Sequence, residues 1–230
     1  MEKKKNLLIA LLLIWVAPSF AAKVDTLLIK SPSMNKEVQV VVVTPDAASG
    51  KKAVACPTIY LLHGYGGNAK SWIGIKPNLP QIADEKGIIF VCPDGKTSWY
   101  WDSPVNPSFR YETFISSELV KYIDEHYKTI ADRKGRAITG LSMGGHGAMW
   151  NAIRHKDTFG ASGSTSGGMD IHSFPKNWDM SKQLGEYESN KEVWDNHTVI
   201  NQIDKIENGD LAIIVDCGEG DFFLNVNKDL

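Results

Sequence analysis

Cysteine and clustered basic residues are scarce in this 230-residue sequence, and their scarcity excludes several classes of protein. The three cysteines, Cys56, Cys92 and Cys217, form no C-x-x-C pair and no disulfide framework, and no cluster of histidines accompanies them. We therefore expect free thiols in the core, with no metal and no cofactor. With 25 Lys and Arg against 27 Asp and Glu, the formal net charge is −2. No basic stripe is available to neutralise phosphates, which excludes nucleic acid as the main partner.

The first 21 residues have the pattern of a secretory signal peptide. Three lysines, Lys3 to Lys5, precede the apolar stretch Leu7 to Val16, and small residues before Ala21 predict cleavage after that residue. Because the apolar stretch is short for a bilayer span, we expect no stable membrane insertion once the leader is removed; an uncleaved anchor is the alternative. Residues 22–230 are then predicted to be one exported domain, periplasmic or extracellular, where one pair of cysteines could also oxidise.

Apolar runs alternate with helical patterns after the leader, which is typical of an α/β fold with a doubly wound, mostly parallel sheet. The predicted strands are 38–44, 58–62, 88–92, 137–141 and 211–217, and the predicted helices are 78–85, 111–127 and 145–155. The opening segment 26–44 predicts an antiparallel hairpin at the sheet edge. Segment 160–168 predicts a short strand, followed by a surface insertion over 171–194. That insertion is either a lid or substrate wall over the carboxyl edge of the sheet, or a connecting loop without a role in binding.

A pentapeptide, Gly140-Leu141-Ser142-Met143-Gly144, stands where a predicted strand meets a predicted helix. This is the context of a nucleophile elbow, in which a serine hydroxyl projects from a tight turn and the flanking glycines let neighbouring backbone pass. The N-terminus of the following helix would point its N–H groups at a developing oxyanion. Ser142 is therefore the candidate nucleophile, and the Met143 N–H is the candidate first oxyanion donor.

A second glycine-rich segment, His63-Gly64-Tyr65-Gly66-Gly67, follows the strand 58–62. Its glycines allow the backbone to turn N–H groups inward, so we expect the Tyr65 N–H to be the second oxyanion donor. The alternative is a phosphate-cradling loop, but the G-x-x-x-x-G-K pattern is absent. His63 belongs to this loop and is a candidate for contact with substrate.

Three further features complete the predicted site. Asp221, in a loop beyond the last predicted strand, is the candidate acid; its rival Asp216 lies inside the apolar run and is expected to make a structural hydrogen bond. Trp99 and Trp101 follow the end of a strand, where their rings could stack on a sugar or a phenolic acyl group, with core packing as the alternative. Glu112 is expected to be a helix-start carboxylate that favours the helix dipole.

These residues together resemble the esterase family related to esterase D, within the α/β-hydrolase superfamily, and the resemblance covers nearly the whole mature chain. The motifs that carry it are His63-Gly64-x-Gly66-Gly67, Trp99 to Pro104, Tyr111-Glu112-Thr113, Glu118-Leu119, Gly140 to Gly145, Asp216-Cys217-Gly218 and Asp221-Phe222. That family includes S-formylglutathione hydrolases, feruloyl and acetylxylan esterases, and mycolyltransferase-like acyltransferases. The resemblance implies an α/β-hydrolase fold, Ser142 as nucleophile, Asp221 as acid and Met143 with Tyr65 as oxyanion donors.

The sequence departs from this family at its end. Family members continue through another helix and strand to a loop with the catalytic histidine, whereas no histidine follows Asp221 here, so the domain 22–230 is expected to be incomplete at its C-terminus. Of the other histidines, His172 is the one that the insertion could bring near Ser142.

Three functions remain open at this point. The first is an exported serine carboxylesterase that forms an acyl-enzyme, with acetyl or feruloyl esters of polysaccharides, or small-molecule esters, as substrates. The second is an acyltransferase of the same fold. The third is a truncated, non-catalytic remnant or binding module. The sequence does not determine the oligomeric state.

Overall fold

A single mixed sheet of seven strands organises the computed structural model, which describes residues 22–230. The predicted leader and its cleavage site lie outside the described residues. The strands are β1 (Lys23–Ser31), β2 (Lys36–Thr44), β3 (Thr58–Leu62), β4 (Ile89–Pro93), β5 (Arg136–Leu141), β6 (Ala161–Thr165) and β7 (Ala212–Asp216). Their order is β1-β2-β4-β3-β5-β6-β7. β1 pairs antiparallel with β2, as β2 does with β4, and the remaining neighbours are parallel. The predicted mostly parallel sheet with an antiparallel hairpin at one edge is confirmed.

Eight short and medium helices cross the described part of the chain. They are α1 (Ser71–Ile75), α2 (Leu79–Lys86), α3 (Tyr111–Thr113), α4 (Val120–His126), α5 (Met143–Arg154), α6 (Met180–Leu184), α7 (Lys191–Asn196) and α8 (Leu224–Lys228). A π-helical segment, Phe114–Leu119, joins α3 to α4, so the predicted helix over 111–127 is one continuous element. None of the helices in residues 22–230 has the length and apolar character that crossing a bilayer requires.

Helices cover the sheet on both of its faces, which is visible in the alternation along β2. Val40 and Val42 pack into the larger of two apolar cores, whereas Val41 and Val43 pack into the smaller one together with Leu79 of α2. Because successive strand residues point to opposite faces, a strand between two cores is apolar at nearly every position. This explains why the sequence shows continuous apolar runs at the centre of the sheet.

The edge strand β7 differs from the expectation of a buried strand over 211–217. It pairs with β6 on one side only, and Ile213 and Ile214 are 37% and 73% exposed. Cys217 follows the strand and is partly exposed, so the expectation that it is a core thiol is wrong, whereas the free thiols of Cys56 and Cys92 are buried. An apolar run predicts burial only where other elements pack against both faces of the strand. A strand at the edge of a sheet has fewer such packing partners.

Candidate active site

Ser142 occupies the turn between β5 and α5. Its φ of 57° and ψ of −117° lie in a region that residues with a side chain rarely adopt. The Ser142 N–H donates to the Thr165 carbonyl at 2.9 Å, and its own carbonyl accepts the His146 N–H at 3.0 Å, so the turn is held from both sides. The predicted strand–turn–helix context of the elbow is therefore present, with the serine side chain half-buried at the start of α5.

The glycines around Ser142 stand where backbone segments touch. A Cβ atom on Gly140 would lie 2.3 Å from the carbonyl group of Gly144, and one on Gly144 would lie 2.2 Å from the carbonyl oxygen of Leu62. The loop after β3 also touches this turn, since a Cβ atom on Gly64 would be 3.3 Å from the Leu141 carbonyl oxygen and 3.5 Å from the Ser142 Cβ. The two glycine-rich motifs of the sequence therefore meet in space.

His63 holds the shape of the loop after β3. Its Nδ1 lies 2.7 Å from the Gly64 carbonyl, and its Nε2 accepts the Gly95 N–H at 2.9 Å. Because Nε2 accepts a hydrogen bond, the proton is on Nδ1, which donates to the carbonyl, and the ring is neutral. The Asp94 carboxylate, 3.5 Å from Nε2, is therefore not an ion-pair partner in this arrangement. The His63 side chain is only 1% exposed, so its observed contacts are structural, and contact with substrate stays a prediction.

Tyr65, the predicted second oxyanion donor, connects the loop to the insertion. Its side chain is 39% exposed, and its hydroxyl donates to Asp179 Oδ2 at 2.9 Å. That hydrogen bond raises the pKa of Tyr65. Asp179 has a positive φ of 54° and also pairs with Lys182 at 3.0 Å. Contact between insertion and loop favours the interpretation of segment 171–194 as a wall of the site.

Met143 is the first residue of α5 and is fully buried. The N–H groups in the first turn of a helix have no partner within that helix, and the helix dipole adds a partial positive charge there. Its N–H and that of Tyr65 belong to two backbone segments that touch at Gly64 and Ser142. The arrangement suits the stabilisation of an oxyanion beside the serine.

Trp99 and Trp101 are 1% and 0% exposed and stack on one another with ring centroids 5.6 Å apart. Both rings meet the edge of His146, and the Trp99 indole N–H donates to the Trp178 carbonyl at 3.2 Å. These contacts are those of the core-packing alternative, and stacking on substrate stays a prediction for both residues.

The aromatic surface that sequence reasoning missed is formed by Trp178, which is partly exposed, and Phe222, which is 63% exposed. Their rings stack 5.5 Å apart.

Asp216 is the last residue of β7, and Asp221 follows that strand, both at the carboxyl edge of the sheet. The Asp221 carboxylate accepts the Phe223 N–H at 2.8 Å, in the turn that leads to α8. Asp216 accepts the Thr165 hydroxyl at 3.1 Å, in line with the structural hydrogen bond expected of it. Among residues 22–230 no hydrogen bond joins Asp221 to a histidine, so its role as the acid stays a prediction.

All six histidines lie in the described part of the chain, and each has partners other than Ser142. The partners are Gly64 and Gly95 for His63, Tyr122 for His126, Gly168 for His146, Glu112 for His155, Asp170 and Asp195 for His172, and Val193 for His197. Burial lowers the pKa of His146 to about 4 and also lowers that of His197. His172 is held between two carboxylates, at 2.6 and 2.8 Å.

Residues 22–230 contain no group of three or more His, Cys, Asp or Glu side chains arranged to bind a metal ion.

Comparison with known proteins identifies what this arrangement resembles. A family model described as "Putative esterase" matches residues 31–229. The acetyl esterase of Caldicellulosiruptor saccharolyticus is 26% identical over 192 residues, which are 75% of this chain and 69% of that protein. The endo-1,4-beta-xylanase/feruloyl esterase of Xylanibacter ruminicola is 34% identical over 120 residues, which are 49% of this chain but 16% of that larger protein. A solved ferulic acid esterase superposes with a TM-score of 0.75 at 30% identity, covering 91% of this chain and 84% of the other.

Proposed function

Since the chain belongs to the esterase family whose model matches residues 31–229, we propose that it hydrolyses carboxylic esters through an acyl-enzyme formed on Ser142. The observation that carries the proposal is the strained turn of Ser142 between β5 and α5, against which the Gly64 backbone lies. A serine in this turn presents its hydroxyl beside the free N–H groups of a helix start.

The reaction follows from this placement. The Ser142 hydroxyl attacks the ester carbonyl carbon and gives up its proton to a base, and the carbonyl oxygen becomes an oxyanion. The N–H groups of Met143 and Tyr65 donate to that oxyanion, which lowers the barrier to its formation. The tetrahedral intermediate then collapses with cleavage of the bond to the alcohol oxygen, and the alcohol takes up the proton. Water attacks the resulting acyl-enzyme and releases the acid.

Asp221 is the proposed acid, and its place after β7 at the carboxyl edge supports that role. A carboxylate at this position orients an imidazole and stabilises its charged form. The base is proposed to be an imidazole, because histidine is the usual proton acceptor for a serine nucleophile. His172, which is already held by the carboxylates of Asp170 and Asp195, is the first histidine of this chain to substitute in a test of that role.

The substrates are proposed to be acetyl or feruloyl esters, including those on polysaccharides, and export to the periplasm or the medium is proposed from the leader. The names of the relatives support the acyl groups. The exposed ring of Phe222, which stacks on the partly exposed Trp178, and the exposed ring of Tyr65 offer flat surfaces for a sugar or phenolic ring. Export is tested by N-terminal sequencing of the secreted protein, which should begin at Ala22.

The nucleophile is tested with Ser142→Ala and a matched surface variant, Ser117→Ala. We expect 4-nitrophenyl acetate hydrolysis to fall to background in the first variant and to stay at the parent rate in the second. A fluorophosphonate probe should label the parent and Ser117→Ala once per chain, and mass spectrometry should place the label on the peptide that contains Ser142. Ser142→Ala should not be labelled. Parent-level turnover by Ser142→Ala would exclude the proposal.

The base is tested by chemical rescue. If no side chain of the protein accepts the serine proton, added imidazole should take over that role. The rate of ester hydrolysis by the parent should then rise above that of Ser142→Ala measured with the same imidazole concentration. If the parent is already fast and His172 is the base, His172→Ala should abolish both turnover and fluorophosphonate labelling of Ser142, because both reactions need an acceptor for the serine proton. If His172→Ala hydrolyses the ester as fast as the parent, and imidazole does not raise its rate, the base is another of the six histidines.

Two alternatives remain, an acyltransferase of the same fold and a non-catalytic binding module. The observation that favours the binding module is that each of the six histidines has hydrogen-bond partners other than Ser142. Saturable binding of an ester without turnover, with or without imidazole, would support this function. Transfer of the acyl group to an added alcohol in preference to water would instead support the acyltransferase.

A further inference from the structure

A cavity of about 450 Å³ lies at the C-terminal half of α5, away from Ser142. Trp150 and Arg154 line it, and they follow Ser142 by eight and twelve residues on the same helix. At 1.5 Å of rise per residue they are roughly 12 and 18 Å from the serine along the helix axis. The cavity is therefore separate from the proposed active site. Its remaining walls include Asp102, Arg110 and Glu112.

The two carboxylates in this wall are already occupied. Glu112 accepts hydrogen bonds from Trp150 Nε1, Arg154 Nε and His155 Nε2, each at 2.8 Å. Burial alone would raise the pKa of Glu112, but these donors outweigh it and hold the pKa at about 2, so the group is ionised. Asp102 accepts the N–H and hydroxyl of Thr113 and pairs with Arg110 at 3.1 Å. A carboxylate has about four acceptor positions, so little acceptor capacity is left.

The two guanidinium groups, in contrast, keep donors free. Arg110 uses one nitrogen on Asp102, and Arg154 uses Nε on Glu112 and makes a long contact of 3.4 Å from Nη1 to Gln202. A guanidinium carries five N–H donors, and these side chains are 44% and 33% exposed, so their outer edges are accessible. The Arg154 guanidinium lies 4.6 Å over the Trp150 ring, which fixes its orientation.

A third cation, Lys205, lies near Arg154, although it does not line the cavity. Lys205 bonds to Gln202, the same side chain that Arg154 contacts. Burial lowers the pKa of Lys205, and the positive charge of Arg154 lowers it further. The lining therefore carries two cations and two carboxylates whose acceptor positions are nearly all used, and Lys205 adds positive charge near Arg154. A bound anion would relieve this repulsion.

We propose that this cavity binds an oxyanion, a carboxylate or phosphate group, through the free donor edges of Arg110 and Arg154. Guanidinium groups match the planar, paired oxygens of such anions, and a group that is already held by an ion pair and an aromatic ring loses little freedom on binding. A cavity of this volume accommodates a sugar-sized molecule that carries the anionic group.

The test is calorimetric titration of the full chain with sodium phosphate and, separately, with sodium glucuronate, at constant ionic strength set with chloride. We expect saturable binding of at least one probe with one site per chain. Phosphate alone would identify a phosphate group as the ligand, and glucuronate alone would identify the carboxylate of an acidic sugar. No saturable binding of either probe up to about 50 mM, which corresponds to less than about 2 kcal/mol of binding free energy, would overturn the proposal.

The matched variants are Arg110→Gln and Lys121→Gln, each of which removes one positive charge. Lys121 is 76% exposed and does not line the cavity. We expect Arg110→Gln to weaken binding about tenfold or more and Lys121→Gln to leave it unchanged, because one guanidinium–oxyanion pair contributes roughly 1.4 kcal/mol or more. Equal weakening by both variants would mean non-specific attraction by charge and would overturn the proposal.

Two further measurements locate the ligand. Arg110→Lys keeps the charge but removes the fork of donors, so binding should fall between that of the parent and of Arg110→Gln. In NMR spectra of the arginine Nε–H groups, the anion that binds should shift the signals of Arg110 and Arg154. The signal of Arg133 should not shift, because this side chain donates to backbone carbonyls. Binding that shifts neither signal contradicts the proposed location.

Discussion

Gly144 is in backbone contact with Leu62: a Cβ atom on the glycine would lie 2.2 Å from the leucine carbonyl oxygen. This contact joins the end of β3 to the first turn of α5. It sets the distance between the loop that contains Tyr65 and the turn that contains Ser142. The geometry of the proposed oxyanion site therefore depends on the absence of a side chain at residue 144.

We predict that Gly144→Ala destabilises the protein by about 2 kcal/mol or more, because the methyl group meets a backbone atom that cannot move aside. Gly74→Ala is the control, since Gly74 lies in α1 with no atom within 4 Å of a Cβ. There alanine should be neutral or stabilising by up to about 1 kcal/mol. Urea denaturation measures both variants, and equal stability for the two would contradict the contact.

A second prediction concerns Glu112, whose carboxylate receives the three donors Trp150, Arg154 and His155. Glu112→Ala leaves a buried indole N–H and a guanidinium without their acceptor, and we expect a loss of about 3 kcal/mol. The folded pKa of about 2 lies below the ordinary value of 4.5, so this stability is complete above pH 4.5 and is lost as the pH falls towards 2.

The measurement for Glu112 is the difference in unfolding free energy between parent and variant at pH 7 and at pH 3. The difference should be smaller at the lower pH. Glu125→Ala is the control, because its contact with Lys121 is 3.9 Å long and exposed, and it should cost less than about 0.5 kcal/mol at either pH. A Glu112→Ala variant that matches this control would show that the network contributes nothing to stability.

The sequence predicts the sheet well because hydrophobic periodicity records burial directly. The expected strand 58–62 is β3, and the expected helix 145–155 is α5 within two residues at its start. The elbow at Ser142 is equally legible, since the glycines at 140 and 144 and the strand-to-helix change form a short contiguous motif, although the atom that excludes a side chain at 144 belongs to Leu62. β7 is the exception, because its apolar residues do not reveal that it lies at an edge with Ile214 exposed.

The side-chain networks of the site are less accessible from sequence. The sequence predicts that Glu112 acts on its own helix dipole, yet its partners are 38 to 43 residues away on α5 and at its end. The stacking of Trp178 on Phe222 joins the insertion to the C-terminal segment, 44 residues further on. Neither pairing leaves a periodic signal, because both depend on how distant segments pack.

A third prediction concerns the thiols. Cys92 is 1% exposed, and burial raises its pKa to about 12, whereas Cys217 is partly exposed at the end of β7. We expect a maleimide reagent to label Cys217 first in the native protein and Cys92 only on unfolding, because the reagent needs an accessible thiolate. Peptide mass spectrometry identifies the site, with Cys217→Ser as the control. Native labelling of Cys92 at the rate of Cys217 would contradict the burial.

A fourth prediction separates the backbone of Tyr65 from its side chain. Tyr65→Phe removes the hydrogen bond to Asp179 but keeps the N–H that is proposed to hold the oxyanion. Ester hydrolysis should therefore stay within about threefold of the parent, whereas loss of an oxyanion donor costs about 100-fold or more. Asp179→Asn is the control, because it keeps an acceptor for the tyrosine hydroxyl. A 100-fold loss in Tyr65→Phe would assign the role to the phenol instead.

The last prediction concerns acid stability and His146. Burial lowers the pKa of this residue from 6.5 to about 4, so the folded protein holds the ring neutral. Its Nδ1 donates to the Gly168 carbonyl at 2.7 Å, and its Nε2 is buried without a partner among the described residues. When the folded pKa lies below the unfolded one, stability is complete above pH 6.5 and declines as the pH falls from 6.5 to 4. A shift of this size corresponds to about 3 kcal/mol.

His146→Asn tests this prediction, because the amide can still donate to the Gly168 carbonyl but does not titrate. The variant should be less stable than the parent at pH 7, since asparagine fills less of the space beside the stacked rings of Trp99 and Trp101, but its stability should fall less steeply between pH 6.5 and 4. His197, whose pKa is also lowered by burial, leaves a residual slope in both proteins. The control is His126→Asn, at an exposed residue, which should retain the parent slope. Parallel curves for the parent and His146→Asn would mean that the buried ring does not govern the acid limit of this fold.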